Sequence, residues 1–293
     1  MAESEQVPAN FLGLRREVSA YAAARLVVLP IGFEATTCYG TGTRGGPDAI
    51  LFASRQIEAY DPELGVNLSD APIHTADPVA PDLSTPAAMT QRIQRVAGRL
   101  VADGKWVLGL GGEHSVSLGL VKAAAARHGQ LSILHIDAHL DLRAEYEGTP
   151  HSHACVMRRC VEDGHRTVHV GIRNASREEV DFAKANDLPI FWGRQCAAGD
   201  DWIGAAVDAL RGPVYISVDV DGLDPSVIRT TGTPEPGGLA WWPTMQLLEQ
   251  VFRRHTVVGA DVVELSAAGD PASDFAAARL AAKLAALALY AKR

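Results

Sequence analysis

Acidic residues and histidines gather at three places in this chain, each directly after a short apolar run. Trp106–Leu110 leads into Gly111-Gly112-Glu113-His114-Ser115, Leu131–Ile136 into Asp137-Ala138-His139-Leu140-Asp141, and Val214–Val218 into Asp219-Val220-Asp221. An extended backbone alternates its side chains, so Asp137, His139 and Asp141 are expected on one side, and Asp219 with Asp221 likewise. With His114 from what is expected to be the neighbouring strand, four carboxylates and two imidazoles would share a small volume. Carboxylates packed so closely repel one another, and full ionisation without compensation is costly. Two divalent cations would neutralise that charge, and a mixed His/carboxylate set suits manganese, iron or zinc better than calcium or magnesium. Alone, an Asp-x-Asp after a strand is more often a helix cap or a solvated loop, and a Gly-Gly-Glu-His more often a turn. Three such clusters, each at a strand end, favour a metal centre.

The elements that must position these groups alternate. Strands are expected at Arg25–Ile31, Trp106–Leu110, Leu131–Ile136, Thr167–Gly171, Val214–Val220 and Val257–Val263. Helices are expected at Ala87–Ala102, Val116–Ala126, Arg177–Ala185, Ile203–Leu210, Pro243–Arg253 and Asp274–Tyr290. That alternation implies βαβ units and a parallel sheet, whose ligands bind beyond the carboxyl ends of the strands. No repeat, low-complexity tract or linker divides the chain, so residues 1–293 read as one domain. The last helix, with Ser273 as expected N-cap and Lys292 and Arg293 at its end, reads as a packing element.

The bulk properties leave an enzyme or a binding protein. The chain has 293 residues, 21% charged and 47% hydrophobic, with a formal net charge of -8. It lacks the basic balance of a nucleic-acid binder, and mild acidity suits a cationic small substrate. Cys38, Cys155, Cys160 and Cys196 form no CxxC pair and read as free thiols of a reducing compartment. The first ten residues lack a signal-peptide pattern, and the apolar stretch Leu284–Ala291 is too short to cross a membrane. A cytoplasmic location is expected. Gly40-Thr41-Gly42-Thr43-Arg44-Gly45 fits G-x-G-x-x-G, but about ten residues separate it from the preceding strand and Pro47 is the better helix start. It is read as pocket rim or subunit contact, not as a dinucleotide site.

The segments TTCYGTGTRGGPDAI, GGEHS, HIDAHLDLRAEYEGTPHSHACVMRR, YISVDVDGLDPS, GTPEPGGL and GADVVEL resemble the ureohydrolase (arginase/agmatinase) family, most closely its agmatinase branch. The resemblance spans most of the chain. It implies a three-layer αβα sandwich with a mainly parallel central sheet, shared with arginases and histone deacetylases. It also implies two Mn2+ ions held by His114, Asp137, His139, Asp141, Asp219 and Asp221. In the family pattern Asp137 and Asp219 bridge, His114 and Asp141 complete one ion's shell, and His139 and Asp221 complete the other's. His153 matches the family's proton-shuttling histidine, Glu264 the carboxylate that grips the guanidinium, and Thr233 lies in the loop lining the pocket. Three departures stand out: Glu113 replaces an aspartate found in many members, Glu264 is followed by Leu265-Ser266-Ala267-Ala268 where many members have Asn-Pro or a nearby proline, and Arg143 stands where arginases carry an asparagine that helps hold the substrate's α-carboxylate.

The activity so implied is hydrolysis of a guanidino compound to urea and an amine, with agmatine giving putrescine as the leading expectation and polyamine biosynthesis as its setting. Two metal ions lower the pKa of a water from about 16 towards about 7. Glu264 would hold the cation, Asp141 would accept a proton, and His153 would protonate the leaving amine. Guanidinobutyrate, guanidinopropionate, guanidine or a formimino compound are alternative substrates. Arginine is disfavoured by Arg143, and a non-catalytic binding relative is disfavoured by the complete ligand set. His135 is expected as support or core, and His74, His128, His165, His169 and His255 show no ligand spacing. Trp241-Trp242 reads as packing or interface, Cys155 as no nucleophile, and Glu235 as the alternative guanidinium anchor. The family commonly forms trimers or hexamers, so a homo-oligomer is expected, with neither nucleic acid nor membrane as partner.

Overall fold

Runs such as Leu26–Ile31 and Val257–Val263 are apolar at nearly every position, which suits only a strand covered on both faces. The computed structural model, which describes residues 7–199 and 201–291, places them so. Ten strands occur in the described residues: β1 (Leu26–Ile31), β2 (Tyr60–Asp61), β3 (Val66–Asn67), β4 (Ile73–Thr75), β5 (Trp106–Gly111), β6 (Ser132–Ile136), β7 (Arg166–Ile172), β8 (Ile190–Trp192), β9 (Val214–Asp219) and β10 (Val257–Val263). β2 and β3 form a separate antiparallel hairpin. The other eight form one sheet in the order β4-β1-β5-β10-β9-β6-β7-β8, with every pairing parallel.

Among the described residues nine helices alternate with them: α1 (Gly46–Ser54), α2 (Pro86–Ala102), α3 (Ser117–His128), α4 (Val156–Glu162), α5 (Arg177–Ala185), α6 (Gly193–Ala197), α7 (Asp201–Ala209), α8 (Trp241–Arg254) and α9 (Pro271–Tyr290). Strand residues divide by parity between two cores. Leu134, Ile136, Ile216 and Val218 join α1, α7, α8 and α9 on one face, while Ile133 and Tyr215 join α2, α3 and α4 on the other. The result is the αβα sandwich expected.

Several expectations need correction. The strand bearing His114 does not adjoin β6; β10 and β9 lie between. The long, strongly patterned elements fall where expected within a few residues. β4, β8, the β2–β3 hairpin, α4 and α6 escape notice because they are short and sit at edges or in loops. Ser273 does not cap α9. The helix begins at Pro271 after Asp270, and the Ser273 hydroxyl donates to the Asp270 carboxylate while accepting from Arg229 N–H. Lys292 and Arg293, and the first six residues, lie outside the described residues. Among the described residues no helix is long and apolar enough to cross a membrane.

Candidate metal centre and substrate cavity

The four adjacent strands β5, β10, β9 and β6 occupy the middle of the sheet, and all candidate ligands lie at the last residue of β9 or beyond the ends of β5, β9 and β6. Glu264 follows β10. The expected extended geometry of the ligand segments is not what forms. β6 ends at Ile136, and the chain then turns, with Asp141 at φ 53°. Asp-x-His and Asp-x-Asp serve as turns instead, in which the first carboxylate accepts the N–H two residues on. Asp137 Oδ1 accepts from His139 N–H at 2.5 Å, and Asp219 Oδ1 from Asp221 N–H at 2.9 Å. Short Asp side chains favour this local bond. It fixes each carboxylate and leaves its second oxygen pointing away.

Those second oxygens converge. His114 Nδ1 lies 3.0 Å from Asp141 Oδ2, 3.1 Å from Asp137 Oδ2 and 3.3 Å from Asp219 Oδ2. His139 Nδ1 lies 3.2 Å from Asp221 Oδ2 and 3.4 Å from Asp137 Oδ1. Two ligand groups result, sharing Asp137. His135 stands near the first group, but its Nε2 is taken by Asp137 Oδ2 at 2.8 Å and its Nδ1 by His169 Nδ1 at 2.8 Å. Both of its ring nitrogens are thereby engaged, which fits a role in holding the Asp137 carboxylate.

Whether cations fit is decided by His114. Its Nε2 is held by Ser217 Oγ at 2.9 Å, and Ser217 donates to Asp261 at 2.7 Å. The ring is therefore oriented from behind, with Nε2 carrying the hydrogen. Nδ1 is buried and, despite three carboxylate oxygens close by, has no hydrogen-bond partner. A single proton there could serve one carboxylate; a divalent cation serves all of them. The charge environment tells the same story. Burial depresses the His114 imidazole, but Asp137, Asp141 and Asp219 outweigh it and hold the group well above its usual range. Against burial, Asp137 and Asp221 push His139 up to about 12. Burial, with neighbouring carboxylates, raises Asp219 and Asp221. The cluster clings to positive charge, and the donor set fits two divalent ions.

A cavity of about 180 Å3 opens over this centre. His114, His139, Asp141, Asp219 and Asp221 line it, together with His153, Thr233 and Glu264. Asp137 lies beneath, fully buried. Thr233 Oγ1 donates to Asp221 Oδ2 at 3.3 Å. Glu264 is 6% exposed and adopts φ 67°, a strained backbone for a non-glycine residue. Its Oε1 accepts the His114 backbone N–H at 2.6 Å, leaving Oε2 for the cavity, and burial raises its pKa well above the usual carboxylate range. Neither His151 nor Glu235 is among the lining residues. Glu235 Oε1 accepts instead from Asn174 Nδ2 at 2.6 Å. Arg143 lines the wall, 3.9 Å from the buried Glu179 and 4.9 Å from the Tyr146 ring centre. Gly40 of the glycine-rich loop also lines the cavity, as expected of a rim. Cys155 is buried, and burial pushes its thiol up to about 11, away from thiolate chemistry.

Sequence reasoning missed the supporting polar residues His169, Ser217, Asp261 and Tyr215. Each interrupts an apolar strand at a position facing the same side of the sheet, and that alternation was the available signal.

Comparison with known proteins gives concordant results. The model of the Arginase family matches residues 24–290. An N(1)-aminopropylagmatine ureohydrolase of Synechocystis sp. is 40% identical, with 91% of this chain and 90% of that protein covered. Its counterpart in Thermus thermophilus is 41% identical over 89% of each. The crystal structure of an agmatine ureohydrolase of Thermoplasma volcanium superposes with a TM-score of 0.85 at 29% identity, covering 98% of this chain and 95% of that one.

Proposed function

The chain belongs to the arginase family and is a guanidino hydrolase, and from that premise we propose that its substrate is a guanidinoalkyl amine, cleaved to urea and a polyamine. The observation that carries this is the buried Glu264 carboxylate, with one oxygen fixed by His114 N–H and the other turned to the cavity. Such a group suits a cation that has lost its water. Arg143, the one arginine among the described lining residues, already faces Glu179 and Tyr146, which leaves little to hold a substrate carboxylate. Agmatine is the simplest compound that fits. N1-aminopropylagmatine is the longer one named by relatives at 40% and 41% identity, and we favour it. Urea release from both is expected, with the larger kcat/KM for N1-aminopropylagmatine; comparable or faster turnover of 4-guanidinobutyrate or arginine would overturn the proposal.

His114, Asp137, His139, Asp141, Asp219 and Asp221 would hold two divalent cations, manganese being the proposed metal. Bound there, such ions supply a water acidified from about 16 towards about 7 as nucleophile at neutral pH. Glu264 orients the planar guanidinium over the centre. Asp141, lining the cavity, can accept the proton released on attack. His153 can deliver a proton to the leaving nitrogen, which departs as an amine. Thr233 steadies Asp221 and shapes the wall. The four free thiols support a reducing, cytoplasmic setting. We also propose a homo-oligomer, trimeric or hexameric. A monomeric mass by light scattering at assay concentrations would contradict it.

A further inference from the structure

Behind His153 lies a set of groups that no step above uses. Glu113 is fully buried, and its carboxylate is surrounded by four donors. Ala35 N–H and Thr36 N–H reach Oε2 at 2.6 Å each. Thr36 Oγ1 and Ser115 Oγ reach Oε1 at 2.9 Å and 2.5 Å. Thr36 Oγ1 in turn accepts the His153 backbone N–H at 3.0 Å and sits 3.1 Å from His153 Nδ1. This contact depends on Gly112. A Cβ there would stand 2.0 Å from the Phe33 carbonyl oxygen, so only glycine lets the segment leading to Thr36 run close enough to Glu113.

The hydrogen count then fixes the imidazole. A threonine hydroxyl has one hydrogen, and a carboxylate is the stronger acceptor for it. Thr36 therefore gives its hydrogen to Glu113 and turns only lone pairs towards His153. A lone pair on Nδ1 would meet them head-on, so Nδ1 carries the ring hydrogen, which Ser152 Oγ at 3.2 Å shares. The neutral ring's free lone pair is then on Nε2. Among the described residues no side chain or backbone group hydrogen-bonds that nitrogen, and the ring lines the cavity. Tyr146 packs edge-on against the ring, with centres 5.8 Å apart.

We propose that Glu113 and Thr36 are positioning residues that set the tautomer of His153, so that Nε2 is the atom that carries the proton. The proposal rests on the reading of His153 as proton carrier. Nε2 takes up one proton from solvent in the cavity, giving an imidazolium, and hands it to the leaving nitrogen, which keeps the electron pair of the breaking carbon–nitrogen bond. The ring returns to the Nδ1–H form, and nothing is consumed.

The test uses the metal-loaded enzyme. Thr36→Val removes the hydroxyl but keeps the shape and the backbone N–H to Glu113; Thr36→Ser keeps the hydroxyl. General acid–base catalysis contributes typically ~100-fold or more, so a misdirected tautomer is expected to cost Thr36→Val at least ~10-fold in kcat. KM and metal content should stay at parental values, the pH dependence of kcat should shift while that of KM does not, and Thr36→Ser should restore the rate. If Thr36→Val does not fold, Thr36→Ala carries the same test. Parental kcat without the hydroxyl, or a Thr36→Ser variant as slow as Thr36→Val, would overturn the relay. His153→Ala separates the premise from the inference. If it keeps parental kcat, His153 is not the proton carrier and both fall. If it is slow while Thr36→Val is fast, the relay alone falls.

Discussion

Glu264→Gln is expected to lower kcat/KM at least ~100-fold while leaving the metal content of the protein unchanged. Removing one partner of a buried ion pair typically costs about 3–5 kcal/mol, and each ~1.4 kcal/mol is a factor of ten. The geometry adds a reason beyond lost charge. Glu264 Oε1 accepts the His114 N–H at 2.6 Å, so glutamine must keep its carbonyl oxygen there. Its NH2 group then faces the cavity, where a guanidinium presents only donors. Charge attraction and hydrogen bond are replaced by donor against donor. Steady-state kinetics with metal analysis on the same sample checks this. Loss of the metals would make Glu264 part of the centre's support, and unchanged activity would mean that the guanidinium is held elsewhere.

His139→Ala is expected to abolish most of the activity and to halve the bound divalent metal, from two ions per chain towards one. His139 belongs to the group formed with Asp137 and Asp221, whereas His114 faces Asp141, Asp137 and Asp219. Even residues that merely support metal ligands typically cost 10- to 100-fold in affinity when changed, so loss of a direct ligand should exceed about 100-fold for that ion. The fold should survive, because His139 lies in a turn beyond β6 and is 24% exposed at its side chain. Elemental analysis and circular dichroism give the answer. A fully active variant, or one that loses both ions equally, would refute the division of ligands.

The site was legible because its chemistry is concentrated. Three clusters at three strand ends announce a shared edge, and β5, β6, β9 and β10 do meet there. Their spatial order was not legible. Nothing in the local sequence tells β10 to enter between β5 and β9, since that pairing is decided by packing far from either segment. The turns at Asp137 and Asp219 were misread as extended backbone because alternation in sequence is common to a strand and to an Asx turn. The bond from Glu264 to the His114 N–H had no local sign at all: it joins residues brought together only by the completed sheet.

That late strand gives the protein an order of assembly. β10 is the last strand of the described residues and sits between β5 and β9. As the polypeptide leaves the ribosome, β4-β1-β5 and β9-β6-β7-β8 can form as two partial sheets with bare facing edges, and parallel pairing across such separations is slow. Asp137, His139 and Asp221 all belong to the second partial sheet, whereas His114 rides on the first. A growing chain can thus assemble the Asp137, His139 and Asp221 group early. The cluster around His114, and the Glu264 carboxylate held against its N–H, come together only when residues 257–264 close the gap.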